Sequence, residues 1–486
     1  MELVTNIVDR LKEIQLNFEE KQDVQAIMEC IDGYINVLNE APEDPEILFQ
    51  IGTAYLQISQ PGVALQFFKR SLSYWPAHPN LWSNLGVCYR TMHMLEQAKD
   101  CFMKSMMGEE KAETYNNMAA CFINENNPEE GMQWADKAIM MDPAHPKPKW
   151  NGGLLCLEKQ DWEHGFELYD SGFFCNERKY RVFDPDPPWW DGKSKGTVAL
   201  WDEQGLGDRL LAANMLRRLE GLDGVNVVLE CHPRLEAMYR RSFPWIEHIF
   251  PTAKKEKVTW PEDFKIDYKI AVMSLAALYW KDGEFDRTPY IKPDPELVKK
   301  YRAEMEAKGP GPYVCLSWAG GAPKTNTKYR TLKLNWFKEL IGQDGTWFSM
   351  QYHPWAKDKV ERFREDTGLP LHHLDAAQET EYDHTLAALA AADLTISGCN
   401  TVIHTCGAAG LPCWVMVPTR RAWRYPSGPT FPWYGDHMKQ FHQSTDNDWD
   451  TVIQQVIVDF QAYLYMYYKD ITFLPSAIRP ALKEVK

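Results

Sequence analysis

The chain predicts an α-solenoid followed by two parallel α/β lobes, and three observations predict it. Residues 45–172 repeat a pattern of large, small and large side chains at a period of about 34 residues. Residues 183–196, FDPDPPWWDGKSKG, interrupt every helical pattern with proline and polar residues. From Thr197 onward, short apolar runs alternate with helical segments, as parallel strands covered by helices require. The predicted division is capping helices over 1–42, repeats over 43–182, a linker over 183–196, a first lobe over 197–300, a second over 301–445, and a C-terminal helix and tail over 446–486.

Bulk properties narrow the classes. At 486 residues and 44% hydrophobic content, about three packed domains are expected. The formal net charge of −15 argues against a general nucleic-acid binder, which is usually basic. Eleven scattered cysteines with no CxxC pair fit neither a zinc site nor a disulfide framework, so no metal is expected. Cys399, Cys406 and Cys413 lie seven apart in an Ala/Gly-rich region and read as buried thiols. The first residues, MELVTNIVDRLKEIQ, are amphipathic and acidic, unlike a signal peptide. No run reaches the ~20 apolar residues of a membrane span. The cytoplasm is the expected compartment.

The first repeat reads Leu48, Ile51, Gly52, Tyr55, Ala64, Phe68, Ser71 and Pro76, and the second Trp82, Leu85, Gly86, Tyr89, Ala98, Phe102 and Ser105. The third reads Tyr115, Met118, Ala119, Phe122, Gly131, Ala135, Ala138 and Pro143, and a weaker fourth runs from Gly152 and Gly153 through Cys156, Gly165 and Tyr169 to Gly172. Small residues let two antiparallel helices approach, and aromatics fill the space between them. The period and residue types resemble the tetratricopeptide repeat. One position of each first helix carries Gln50, Asn84, Asn117 and Asn151. Such amides can hydrogen-bond an extended peptide backbone, and they resemble the asparagine ladder of O-linked N-acetylglucosamine transferases. The alternative is an asparagine common to such repeats generally. Repeat surfaces often pair, so a homo-oligomer is considered beside other protein partners.

In the second half, strands are predicted at VALW (198–201), VNVVLEC (225–231), IDYKIAVMSL (266–275), PYVCLSWAGG (312–321), WFSMQY (347–352), DLTISG (393–398) and CWVMVP (413–418), with helical segments such as DHTLAALAAA between them. The first strand runs into Gly205-Leu206-Gly207-Asp208 and then a helix, the phosphate-friendly corner of a doubly wound sheet. Trp189 and Trp190 are expected to pin the linker to a domain surface.

EQGLGD (203–208), LSWAGG (316–321), KTNTKYRTLKL (324–334), TISGCNTVIHTCGAAGLPCWVMVP (395–418) and RAWRYPSGPTFPWY (421–434) occur in an order that resembles bacterial tetratricopeptide-repeat proteins fused to a family 9, heptosyltransferase-like glycosyltransferase. The resemblance implies a GT-B fold of two Rossmann-like lobes. It also implies a nucleotide-sugar donor on the C-terminal lobe, an acceptor on the N-terminal lobe, inversion at the transferred carbon and no required metal or cofactor beyond the donor. Such transfer needs a general base for the acceptor hydroxyl and stabilisation of the leaving diphosphate.

By that resemblance Asp208 matches the family's acid and is the base candidate, with Glu203 in reserve; a helix cap is the other role open to Asp208. Lys328 and Arg330 follow the Trp318-Ala319-Gly320 strand end, where phosphate would sit, whereas Lys324 reads as a solvated charge. Asn400, Thr401 and His404 match the donor loop, and Gln351 matches a position bordering the base. Cys399 and Asn400 stand where the family has Asp and Thr, and His384 replaces an Asp beside the retained Thr385. Gln204, Gly205, Gly207, Trp423 and Arg424 are the acceptor or cleft candidates. Arg421, Trp433 and Tyr434 complete an aromatic and basic cluster that suits either a sugar or phosphate contact or a structural plug. The competing readings are a scaffold whose α/β half has lost turnover and a nucleotide-sugar epimerase or hydrolase.

Overall fold

The structure, a computed structural model, describes residues 24–179, 181, 183, 186–252, 265–280, 283, 285–320 and 327–469. Residues 1–23 of the predicted cap, Lys324, and the tail beyond 469 lie outside them. The chain divides into two compact units, Met1–Lys159 and Gln160–Lys486.

The described part of the first unit is helical throughout: Val24–Glu40, Pro45–Gln57, Pro61–Leu72, Pro79–Thr91, Leu95–Gly108, Ala112–Glu125, Pro128–Met141 and Pro146–Glu158. Five of these begin with proline, whose missing N–H costs nothing in a first turn. Asp44 caps the second helix by accepting from the amides of Glu46 (2.9 Å) and Ile47 (3.2 Å). The glycines of the repeat are dictated by packing. A Cβ on Gly52 would lie 2.6 Å from the Phe68 ring, and one on Gly86 would lie 2.5 Å from the Phe102 ring.

The second unit holds two all-parallel sheets. The first has the order β3-β2-β1-β4, with β1 Gly196–Trp201, β2 Val225–Cys231, β3 His248–Pro251 and β4 Tyr268–Ala271. The second has the order β10-β9-β8-β5-β6-β7, with β5 Tyr313–Ser317, β6 Thr346–Ser349, β7 Leu371–His373, β8 Leu394–Gly398, β9 Cys413–Val417 and β10 Met438–His442. In both sheets the direction of winding reverses beside the first strand, between β1 and β4 and between β5 and β8. Ligands of doubly wound sheets bind outside the carboxyl ends of the strands at that reversal.

Several expectations change. The division between the units falls after Lys159, within the fourth repeat, not within 183–196. The helix Trp162–Tyr169 therefore belongs to the α/β unit, where burial of its aromatic face holds it. Trp162 meets Phe285 and Trp433 edge-on at ring distances of 5.2 and 5.5 Å, and Phe166 meets Trp280 and Trp423 at 5.5 and 5.8 Å. The proline-rich segment lies along β4: the Trp190 amide donates to the Lys269 carbonyl (2.9 Å) and the Lys269 amide to that of Pro188 (3.0 Å). Of the strand expected over 266–275, only Tyr268–Ala271 is extended, and the chain then winds into the helix Leu275–Tyr279. β3, β7 and β10 have no counterpart among the predicted strands; they are edge strands of three to five residues, too short to show a period. The C-terminal helix Trp449–Lys469 buries Val456 and Phe460 on the second sheet, with the Phe460 ring 5.1 Å from Trp347.

Candidate functional site

Two strand-to-helix corners meet at the switch points. β1 ends in Asp202-Glu203-Gln204-Gly205, and the helix Leu206–Ala212 begins there. β8 ends at Gly398, and the helix Thr401–Ala409 begins beyond Asn400. These helices touch through Gly207. A Cβ there would lie 2.8 Å from His404 Cδ2 and 3.5 Å from Thr401 Cα, so glycine is what permits the approach.

Asp208 stands at this junction with about a fifth of its side chain exposed. Its Oδ2 accepts from the Gly205 amide at 3.2 Å, closing a capping arrangement at the helix start. Its Oδ1 forms an ion pair with Arg424 Nε. Arg424 Nη2 donates to Gln204 Oε1 at 2.9 Å and reaches the Tyr169 hydroxyl at 3.4 Å, to which Gln204 Nε2 also donates at 2.9 Å. Asp208, Arg424, Gln204 and Tyr169 thus form one polar cluster. In the sequence Tyr169 reads as a core aromatic of the fourth repeat, which conceals its place in this cluster.

His404 is 3% exposed and lies between two tyrosines, its Nδ1 3.0 Å from the Tyr434 hydroxyl and its Nε2 3.3 Å from that of Tyr425. Burial pushes its imidazole down to about 3; Asp208 opposes the shift, while Arg424 and Arg330 reinforce it. His404 is therefore a neutral ring that supports the junction. Arg330, on the short helix Thr327–Arg330, donates from Nη1 to the Cys399 carbonyl at 3.3 Å. Lys328 is on the same turn, but its side chain lies outside the described residues.

Three candidates are turned inward. Glu203 is 6% exposed and accepts from Arg178 Nε at 2.6 Å. Arg178 is also paired with Asp170, and its Nη2 donates to Ser274 at 3.1 Å. Burial raises the Glu203 carboxyl and Arg178 opposes it. Glu203 is thus engaged in a buried ion pair and not presented as a reserve base. Gln351 is fully buried; its Oε1 accepts from the amides of Trp318 (3.1 Å) and Ala319 (2.9 Å), and its Nε2 donates to the Ala319 carbonyl (2.9 Å). It ties the end of β6 to the end of β5. Asn400 caps its helix by accepting from the Val402 amide (2.9 Å) and donates to Ser317 Oγ (2.9 Å). The capping part of this role is one that Asn commonly fills whether or not a ligand binds.

The departures at Cys399 and His384 have structural partners as well. The Cys399 thiol is buried and points at the Met416 carbonyl (3.5 Å), while His384 Nδ1 lies 2.7 Å from the Tyr301 hydroxyl. Trp423 and Trp433 are buried and pack edge-on at 5.7 Å, so this part of the cluster is a plug. Arg424 joins the polar cluster instead.

In the repeats, three amides of the ladder have partners within the solenoid. Gln50 donates to Glu46 (2.8 Å), Asn84 to Thr53 Oγ1 (3.4 Å), and Asn151 to Asn116 Oδ1 (2.7 Å); Asn117 is 8% exposed. Asn84 and Asn151 each join their helix to the preceding first helix, which supports the reading as a repeat-packing residue. A cavity of about 570 Å³ opens at the amino ends of β1–β3, lined by Thr197, Val225 and His248, away from the switch point. No helix among the described residues is long and apolar enough to cross a membrane.

Comparison with known proteins places the repeats. Residues 112–145 match the tetratricopeptide repeat family. Protein FlbA of Caulobacter vibrioides is 23% identical over 421 residues, covering 81% of this chain and 69% of its own length. Among solved structures, MamA of Desulfovibrio magneticus RS-1 is 17% identical, with 35% of this chain and 95% of its own covered and a TM-score of 0.29. A thermophilic TPR protein of Thermus thermophilus is 14% identical, with 34% and 90% covered and a TM-score of 0.31. The chain carries tetratricopeptide repeats in its N-terminal unit, followed by a unit of parallel sheets and helices.

Proposed function

We propose that the second unit is a GT-B-type, metal-independent glycosyltransferase, and that the repeats recruit its protein or glycan acceptor. The observation that carries this reading is the meeting of the two strand-to-helix corners at Gly207, with Asp208 on one side and Thr401 and His404 on the other. The acceptor oxygen attacks the anomeric carbon of the sugar, and the carbon–phosphate oxygen bond breaks with its electron pair passing to the nucleoside diphosphate. Asp208 takes the acceptor's proton. Arg330 and the positive end of the helix Thr401–Ala409 offset the growing charge on the leaving group. Inversion follows from a single displacement.

A specific observation favours a second reading, a non-catalytic scaffold: Glu203, Gln351 and Asn400 are all committed to internal partners. A thermal-shift panel of UDP-, GDP-, ADP-, CMP- and dTDP-sugars separates the two, because a ligand bound to the native state raises its melting point. The transferase reading expects one sugar nucleotide to stabilise the chain beyond its free nucleotide, and Asp208→Ala to abolish transfer while that shift survives. No stabilisation by any donor or nucleotide, or transfer retained by Asp208→Ala, rejects it.

A further inference from the structure

The ion pair at the junction suggests how the proposed site is held before substrate arrives. Arg424 Nε is buried against Asp208 Oδ1, off the direct N–H line to it. Its Nη2 is held in place by Gln204 and Tyr169, so the guanidinium is fixed while the carboxylate paired with it is partly exposed. Guanidinium is a planar fork that suits two oxygens of one phosphate better than an off-axis carboxylate.

An Asp208 oxygen engaged by the Arg424 guanidinium is also not free to receive an acceptor hydroxyl. From this geometry we infer that Arg424 is the receptor for the donor's diphosphate and that Asp208 is its resident competitor, released to act as base only when a diphosphate replaces it. The inference deepens the proposed transferase site and rests on that reading for the sugar. The anion exchange itself does not depend on turnover. Donor would bind before acceptor.

The apparent affinity of a site is lowered by the fraction of molecules in which it is blocked. Binding of inorganic pyrophosphate to the full chain, measured by titration calorimetry, tests this directly. Asp208→Asn keeps an amide oxygen for the Gly205 cap and removes the competing charge, so it should bind pyrophosphate about tenfold more tightly than the unsubstituted chain. Arg424→Gln should lose the binding, and Arg424→Lys, which keeps the charge without the fork, should fall between them. Circular dichroism and melting curves confirm that each variant is folded. Unchanged or weaker binding by Asp208→Asn overturns the inference, as does binding retained by Arg424→Gln or absent from every variant. If the expected pattern appears but no sugar nucleotide is turned over, the anion exchange stands and the transferase reading falls.

Discussion

Gly407 offers a severe test of how the junction is packed. It lies inside the helix Thr401–Ala409, where alanine would ordinarily be favoured by about 1 kcal/mol. A Cβ there would sit 2.5–2.6 Å from three ring atoms of Tyr434, which is 1% exposed and has no room to turn aside. Moving that ring also disturbs the 3.0 Å contact between its hydroxyl and His404. Overpacking costs about 1–3 kcal/mol, and the impaired buried hydrogen bond about 1 kcal/mol more. After the helical gain is subtracted, Gly407→Ala should destabilise the second unit by about 1–3 kcal/mol, or on the order of 1–4 °C in melting temperature for a unit of this size. Differential scanning calorimetry measures it. Gly62→Ala, where no atom lies within 4 Å of the added Cβ, serves as the control and should be neutral or mildly stabilising. A Gly407→Ala chain melting at or above the unsubstituted temperature would refute the account of the junction.

Other outcomes follow from the same structure. Arg178→Ala should cost about 3–5 kcal/mol, because it leaves Glu203 buried without its counter-ion; Arg178→Ala with Glu203→Gln should recover part of that in denaturant titration. His404, held at about 3 in the fold against an ordinary value near 6.5, contributes stability that is present above about pH 6.5 and lost as pH falls toward 3. Asp202 and Glu230, raised by burial to about 6 and about 7 despite Arg209 and Arg181, act in the opposite direction and relieve the fold as pH falls through those values. The difference in stability between His404→Asn and the unsubstituted chain should therefore change steadily from pH 7 to pH 4, and a pH-independent difference in chemical denaturation would contradict the buried neutral ring. Gly86→Ala should lower the melting of the repeat unit, since its Cβ would lie 2.5 Å from the Phe102 ring; an unchanged melt would count against the helix packing described.

The repeats, the alternation of strands and helices and the glycine corner at Gly205–Asp208 were all legible in the sequence. Each is written in local order: Gly52 and Gly86 recur because two helices can approach only where a Cβ is missing, and the apolar runs at 227–231 and 394–398 are strands buried on both faces. The partners of the candidate side chains were decided by tertiary structure. Nothing local to Asp208 names Arg424, and nothing local to Gln351 shows that its amide would be consumed by the end of β5. The assignment of Trp162–Tyr169 to the α/β unit is likewise non-local, because burial against Trp280, Trp423 and Trp433 outweighs membership of a repeat pattern. Periodicity records which face of an element is buried; which groups share a charge or a hydrogen bond depends on distances set only when separate elements pack.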